Sequence, residues 1–319
     1  MEHFAQLVTH VRQQLSHVIV GQREALDQLL LVLVCGGHGV IEGVPGLAKT
    51  LAVKTLARTC GLKFQRIQCT PDLMPADITG TNVFNLADNT FYFHPGPVFT
   101  DILLVDEINR TPPRTQAALL EAMEERQVTI DGVRHPLPEN FTVLATQNPI
   151  EFEGTYPLPE AQLDRFLVKI RIGYPSAEEE SEILARYELG FDARRVDEIE
   201  IAACDGALLG AARREIESVK VEPGLFAYLV SLVRRTRDWP SLSLGASPRA
   251  AVGLLFIARA MAAMDGRDYL LPDDIKAAAP PVLRHRLLLK PEADLEGLTP
   301  DLIVEQVLAS TEVPRTVVE

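Results

Sequence analysis

Apolar positions in the chain follow two rhythms. Phe4, Leu7, Val8, Val11 and Leu15 recur at helical spacing, and a second apolar helix is predicted over residues 23–34. Strand-like runs follow at residues 39–41, 64–67, 102–105, 141–145 and 167–172. The runs at 102–105 and 141–145 are almost continuously apolar rather than alternating, as central parallel strands covered on both faces require. Helical patterns at 51–59 and 113–125 lie between them. Such alternation predicts an α/β architecture with a mostly parallel sheet.

Two segments interrupt it. Residues 81–94 carry Val83-Phe84 and Phe91-Tyr92-Phe93 on either side of Asp88-Asn89, and residues 128–136 contain Ile130-Asp131-Gly132-Val133, a tight-turn hairpin signal. Both read as hairpins inserted into the alternation. After Tyr174-Pro175 the strands cease. The acidic triplet Glu178-Glu179-Glu180 suits the first turn of a helix, and helical patterns continue at 182–189, 201–219, 224–237, 247–264 and 272–286. The expected organisation is an α/β domain over residues 1–175 and an all-helical domain over 176–319, ending in a frayed tail at 312–319.

A length of 319 residues suits two domains. Apolar content of 47% and mean hydropathy of +0.07 suit a soluble protein. The longest apolar run, residues 29–35, is too short to span a bilayer, and the first residues lack a secretory layout, so a cytoplasmic location is expected. Cys35, Cys60, Cys69 and Cys204 form no C-x-x-C pair and have no histidines at ligand spacing; reduced, mostly buried thiols are expected. The net charge of −13 supplies no broad attraction for nucleic acid.

Chemistry concentrates where strands end. Gly43-Val44-Pro45-Gly46-Leu47-Ala48-Lys49-Thr50 follows the apolar Val40-Ile41 and opens a helix. A glycine loop of this kind cradles phosphates with backbone N–H groups, Lys49 neutralises β/γ charge, and the Thr50 hydroxyl ligates Mg²⁺. Ala48 stands where a second glycine is usual. It is expected to open the helix with ordinary right-handed backbone angles. The strand at 102–105 ends in Asp106-Glu107, suited to Mg²⁺ binding and to polarising a water respectively. The strand at 141–145 runs into Asn148, an amide placed to bridge that water and the γ-phosphate; an Asn-Pro turn is the plain alternative. Arg165 and Arg249 are candidates for the remaining positive charge, with a surface ion pair as the alternative for each and Asp164 an obvious partner for Arg165. Ser247 and Pro248 read as N-cap and first residue of a helix.

Together these residues resemble the AAA+ ATPases: Gly43–Thr50 a Walker A motif, Asp106-Glu107 a Walker B motif, Asn148 a sensor 1 residue, Arg165 an arginine finger and Arg249 a sensor 2 residue. Val20-Gly21-Gln22 resembles the segment lining the adenine pocket. Glu42–Thr50, Val105–Arg110, Ala145–Pro149 and Leu158–Phe166 are similar to the signatures of the MoxR family, whose phosphate loop carries the alanine. The resemblance spans nearly the whole chain. It implies an ATP- and Mg²⁺-dependent homo-oligomeric ring, commonly hexameric, that remodels client proteins in a chaperone-like way, often with partners carrying a von Willebrand factor A domain, and that in some members assists metal or cofactor insertion. Residues 81–94 and 128–136 would be the helix-2 insert and the pre-sensor hairpin. A helicase resembling the minichromosome maintenance proteins, or an ATPase subunit of a magnesium-chelatase-like complex, are the competing readings.

Overall fold

The computed structural model describes residues 1–148 and 155–314. In chain order its elements are α1 (Glu2–Ser16), α2 (Arg23–Val34), β1 (Gly39–Glu42), α3 (Lys49–Thr59), β2 (Phe64–Gln68), α4 (Pro75–Thr79), β3 (Gly80–Asn85), β4 (Thr90–Pro95), β5 (Ile102–Asp106), α5 (Pro113–Glu125), β6 (Gln127–Ile130), β7 (Val133–Pro136) and β8 (Thr142–Gln147). Then follow α6 (Glu160–Leu163), β9 (Val168–Arg171), α7 (Ala177–Glu188), α8 (Gly206–Glu217), α9 (Pro223–Arg237), β10 (Leu242–Leu244), α10 (Pro248–Met264), α11 (Pro272–Leu283), β11 (Leu288–Leu289), α12 (Pro291–Leu295) and α13 (Pro300–Ser310).

The α/β alternation builds a five-stranded sheet in the order β2-β5-β8-β1-β9, with β2, β5, β8 and β1 paired in parallel. β5 is buried along its whole length, and all of β8 but Gln147 is buried too, which accounts for their unbroken apolar runs. Parallel pairing has one consequence for function: the carboxyl ends of β1, β5 and β8 open at the same sheet edge.

The two inserted segments are hairpins. β3 pairs with β4 from Gly80↔Pro95 to Asn85↔Thr90, and β6 with β7 from Gln127↔Pro136 to Ile130↔Val133. Asp131 and Gly132 both take positive φ (48° and 81°), the two-residue turn that matches strand twist. The hairpins also meet each other. Asn82 Nδ2 donates to Asp131 Oδ2 at 2.7 Å, and the Phe93 ring stacks on His135 with centroids 4.0 Å apart.

Contacts divide the chain into two units, one of residues 10–158 and 170–205, the other of 1–9, 159–169 and 206–319. The strap over residues 192–205 is bonded to the α/β unit. Arg58 donates to Val196 O and Ile199 O (2.5 and 2.9 Å), Lys54 pairs with Asp197 at 2.6 Å, and Ala202 N–H donates to Gln14 Oε1 at 3.0 Å. The backbone of residues 201–205 is thereby held out of a helix, so α8 starts at Gly206 and not at 201.

The second unit is helical, with one short antiparallel ribbon, β10–β11, that apolar periodicity does not reveal. Its buried Arg286 lies three residues beyond α11. Among the described residues no helix is long and apolar enough to cross a membrane.

Candidate functional site

The loop from β1 to α3 is shaped by two glycines for different reasons. A Cβ on Gly43 would lie 2.7 Å from the backbone oxygen of Ile172, so the loop leaves the sheet through a gap that admits no side chain. Gly46 has open space around it but a φ of +86°, which glycine adopts without strain. Ala48 corrects the sequence expectation: its φ and ψ are 55° and 22°, left-handed, and it is the N-cap of α3, not the helix's first residue. The chain has to swing from loop to helix axis there, and alanine bears the cost that glycine would avoid. No side chain caps α3. Its first N–H groups, carrying the positive end of the helix dipole, remain available to an anion.

Around this helix end the predicted groups converge. Lys49 is half-buried, and its Nζ donates to Gly43 O at 2.5 Å. Desolvation lowers its pKa, while the charges of Asp106 and Glu107 oppose that shift. Thr50 Oγ1 donates to Asp106 Oδ2 at 3.4 Å. Asp106 is buried, and Thr146 Oγ1 donates to its other oxygen at 2.6 Å. Since Thr146 Oγ1 also accepts the Glu107 N–H at 2.8 Å, that single hydroxyl aligns the ends of β5 and β8 and fixes both acidic residues. Glu107 itself is left-handed (φ 58°, ψ 53°). Asn148 is buried at the end of β8; Pro149 lies outside the described residues.

Two residues of β2 that sequence reasoning missed complete the cluster. Arg66 donates to Asp106 Oδ2 through Nη2 (2.6 Å) and Nε (3.1 Å), and Gln68 Nε2 donates to Glu107 Oε2 at 3.0 Å. Arg66 and Gln68 alternate onto one face of β2, and Gln68 pairs in register with Asp106. The available signal was a pair of polar residues at i and i+2 in a strand of an otherwise apolar sheet.

These groups line a cavity of about 510 Å³, within one contact unit. Its polar lining includes Lys49, Thr50, Asp106, Glu107 and Asn148, and its apolar lining includes Val20, Leu47, Ile183, Tyr187 and Phe191. Gln22 lines it as well, left-handed at the N-cap of α2, with Nε2 3.4 Å from Leu47 O and a buried Oε1 that has no hydrogen-bond partner. An orphaned acceptor on a cavity that also has apolar walls fits an amino-bearing aromatic base. The hydroxyl and carboxylate of Thr50 and Asp106 are hard oxygen donors on neighbouring atoms, and they fit a Mg²⁺ that would draw its other ligands from phosphates and water. Gly21 has a φ of +67°, and Pro45 and Gly46 form the exposed turn of the loop that follows Val44.

Arg165 and Arg249 belong to the other unit. The Asp164 carboxylate accepts from Ser247 Oγ (3.0 and 2.9 Å) and from Arg286 Nε (2.8 Å), so the segments carrying the two arginines are tied through one side chain. Ser247 is the N-cap of α10 by backbone geometry, with Pro248 at its first turn, but its hydroxyl serves Asp164 and makes no cap bond.

Residues 38–168 match the model of the ATPase family associated with various cellular activities (AAA), and residues 234–307 match that of the AAA lid domain. The chain is 45% identical to the protein YeaC of Bacillus subtilis (strain 168), covering 95% of this chain and 93% of that protein. It is 44% identical to Chaperone MoxR1 of Mycobacterium tuberculosis (95% and 81%) and 32% identical to Protein MoxR of Methylorubrum extorquens (91% of each). A crystal structure of a protein from Cytophaga hutchinsonii assigned as an ATPase superposes with a TM-score of 0.89 at 41% identity, over 98% of this chain and 96% of that one. A parallel sheet with a phosphate-type loop at its carboxyl edge, a helical lid, and relatives of this closeness make the chain a member of the MoxR family of AAA+ ATPases.

Proposed function

We propose that the cavity at the carboxyl ends of β1, β5 and β8 binds ATP with Mg²⁺, and that the residues around it hydrolyse the γ-phosphate bond. The observation carrying this reading is the convergence of Lys49, Thr50, Asp106 and Glu107 at an uncapped helix N-terminus. In it the backbone N–H groups of residues 46–50 hold the phosphates and Lys49 neutralises their β/γ oxygens. Thr50 and Asp106 hold the metal, which when bound supplies charge neutralisation on the phosphates. Glu107 takes a proton from the attacking water, Asn148 orients that water, and Gln22 Oε1 accepts from the base's amino group beside Val20 and Gly21. Arg165, supplied by a neighbouring copy in a ring, and Arg249 stabilise charge on the transferred group. The ring, hexameric in this reading, acts as a chaperone-like remodeller that assists maturation or metal and cofactor insertion in partner proteins, among them proteins with von Willebrand factor A domains. A relative at 44% identity bears the name chaperone, which supports that role.

Glu107→Gln tests the chemistry. Loss of a positioned general base lowers turnover about 10²- to 10⁴-fold while a fluorescent ATP analogue still binds. Unchanged turnover refutes the base assignment. Mixing Arg165→Ala with Lys49→Ala protein tests the shared site. Some mixed interfaces regain both groups, so activity partly returns; no recovery in rings shown to be mixed refutes a finger acting across subunits.

A further inference from the structure

Two cysteines outside the nucleotide cavity form an arrangement that the ATPase reading leaves unused. Cys60 is the C-cap of α3, the helix that begins with Lys49 and Thr50. The strap over residues 192–205 returns along this helix and ends in a backbone bond from Cys204 N–H to Thr59 O at 2.7 Å. That bond sets Cys204 beside Cys60 in the same contact unit, and the two thiols are hydrogen-bonded to each other. Neither is in a disulfide.

The pair is asymmetric. Cys60 is 2% exposed, whereas Cys204 is only partly covered. The hydrogen bond from Cys60 is the main cause of a Cys204 pKa lowered to about 7, so much of this thiol is thiolate at neutral pH. Elsewhere in the chain Cys69 shows the opposite behaviour: it is 1% exposed, and burial pushes its thiol up to about 11, where it is inert. An accessible thiolate backed by a buried partner thiol in contact is the layout of an attacking and a resolving cysteine.

We propose that Cys204 and Cys60 form a reversible thiol–disulfide exchange site whose co-reactant is a small-molecule disulfide. In the first step the Cys204 thiolate attacks one sulfur of the co-reactant and expels the other half as a thiolate, leaving a mixed disulfide on Cys204. Cys60 then attacks the Cys204 sulfur as its proton passes to the departing thiolate, which leaves as the second thiol, while the first thiolate takes its proton from solvent. Two protein thiols are oxidised to one disulfide, and the co-reactant is reduced to two thiols. The hydrogen bond between the two thiols already sets the sulfurs side by side. The product clasps the strap to α3 directly before Gly206, where the chain enters the other unit. A dithiol would reverse the reaction. Such transient disulfides are the kind that reducing compartments tolerate.

The test uses the full chain incubated with glutathione disulfide at pH 7.5, alkylated, digested with trypsin and read by mass spectrometry. A peptide of residues 59–63 joined to residues 196–213 is expected, disappearing on treatment with dithiothreitol. Cys204→Ser removes both the linked peptide and any adduct on Cys60, because Cys60 has no access to the reagent. Cys60→Ala leaves a glutathione adduct stranded on Cys204. Cys35→Ala changes neither product. The proposal is overturned if the wild-type chain shows no linked peptide, if Cys204 stays as a glutathione adduct while Cys60 is found alkylated after alkylation in denaturant, or if the dominant link joins another pair.

Discussion

Replacing Asp164 by asparagine isolates the most heavily bonded charge in the lid unit. The Arg286 side chain is 2% exposed, and its guanidinium is enclosed by Asp164 Oδ1 (2.8 Å), Phe166 O (2.6 Å), Leu167 O (3.1 Å), Asp164 O (3.2 Å) and Val282 O. Burial lowers its pKa and the Asp164 charge acts against that shift. Breaking a fully buried ion pair costs about 3–5 kcal/mol because a charge is left without its counter-ion. Two features reduce that figure. Asp164 is 20% exposed, and four carbonyl contacts continue to solvate the guanidinium after the substitution. Asparagine keeps the shape and one acceptor oxygen, so a loss of about 2 kcal/mol is expected. At about 2–4 °C per kcal/mol this is a fall of about 4–8 °C in thermal midpoint. Circular dichroism on Asp164→Asn, Arg286→Met and the double variant measures it; in the double variant the losses should be strongly non-additive, because either change removes the same pair. Steady-state ATP turnover well below the midpoint should fall too, since Arg165 follows Asp164 and Ser247-Pro248-Arg249 hangs from the same carboxylate. Single variants within about 0.5 kcal/mol of the parent, or additive losses, would refute the reasoning and leave the carbonyl cage as sufficient by itself.

Three further outcomes follow from geometry. Ala48→Gly removes a left-handed alanine, worth about 1–2 kcal/mol, against a glycine entropy cost of about 0.5–1 kcal/mol; the thermal midpoint should rise slightly, and a fall would mean that the residue is helical. Gly43→Ala sets a methyl group 2.7 Å from Ile172 O, a backbone atom that cannot step aside, and should cost about 1–3 kcal/mol in urea unfolding, with a neutral result refuting the close approach. His38 is buried, accepting from Val143 N–H at Nδ1 and facing Met123 O at Nε2, and desolvation is the main cause of its pKa falling from 6.5 to about 4. The unfolded chain therefore takes the proton first: this contribution is complete above pH 6.5 and is lost as pH falls toward 4. About 2 kcal/mol should disappear between pH 7 and pH 5, with buried His285 adding loss of the same sign, and His38→Gln should flatten the profile.

What the sequence disclosed and what it withheld separate along one physical line. Lys49, Thr50, Asp106 and Glu107 are legible because each follows an apolar run whose period is local, and parallel strands carry their ends to a common edge without further information. Arg66, Gln68 and Thr146 act through pairing between β2, β5 and β8, which are far apart in sequence, so the i, i+2 polarity of β2 and the signature around Thr146 do not reveal which groups they hold. Ala48 was misjudged for a related reason: the motif fixes which residues form the loop but not where its last left-handed residue falls. The strap over residues 192–205 shows the same limit on a larger scale. Ile201 begins an expected helix, yet Arg58, Gln14 and Thr59 take up hydrogen-bonding groups that a helix would need, and after the 3₁₀ turn over Ala193–Glu198 the chain forms no helix until Gly206. Local pattern thus locates the candidate site, while the groups that hold the Asp106 and Glu107 carboxylates and the strap in place come from tertiary bonds. It is to those bonds that Arg286 and the Cys60–Cys204 pair also belong, which is why neither is marked by apolar periodicity or by a motif, and why the signature around Asp164 does not disclose that its partners are Arg286 and Ser247.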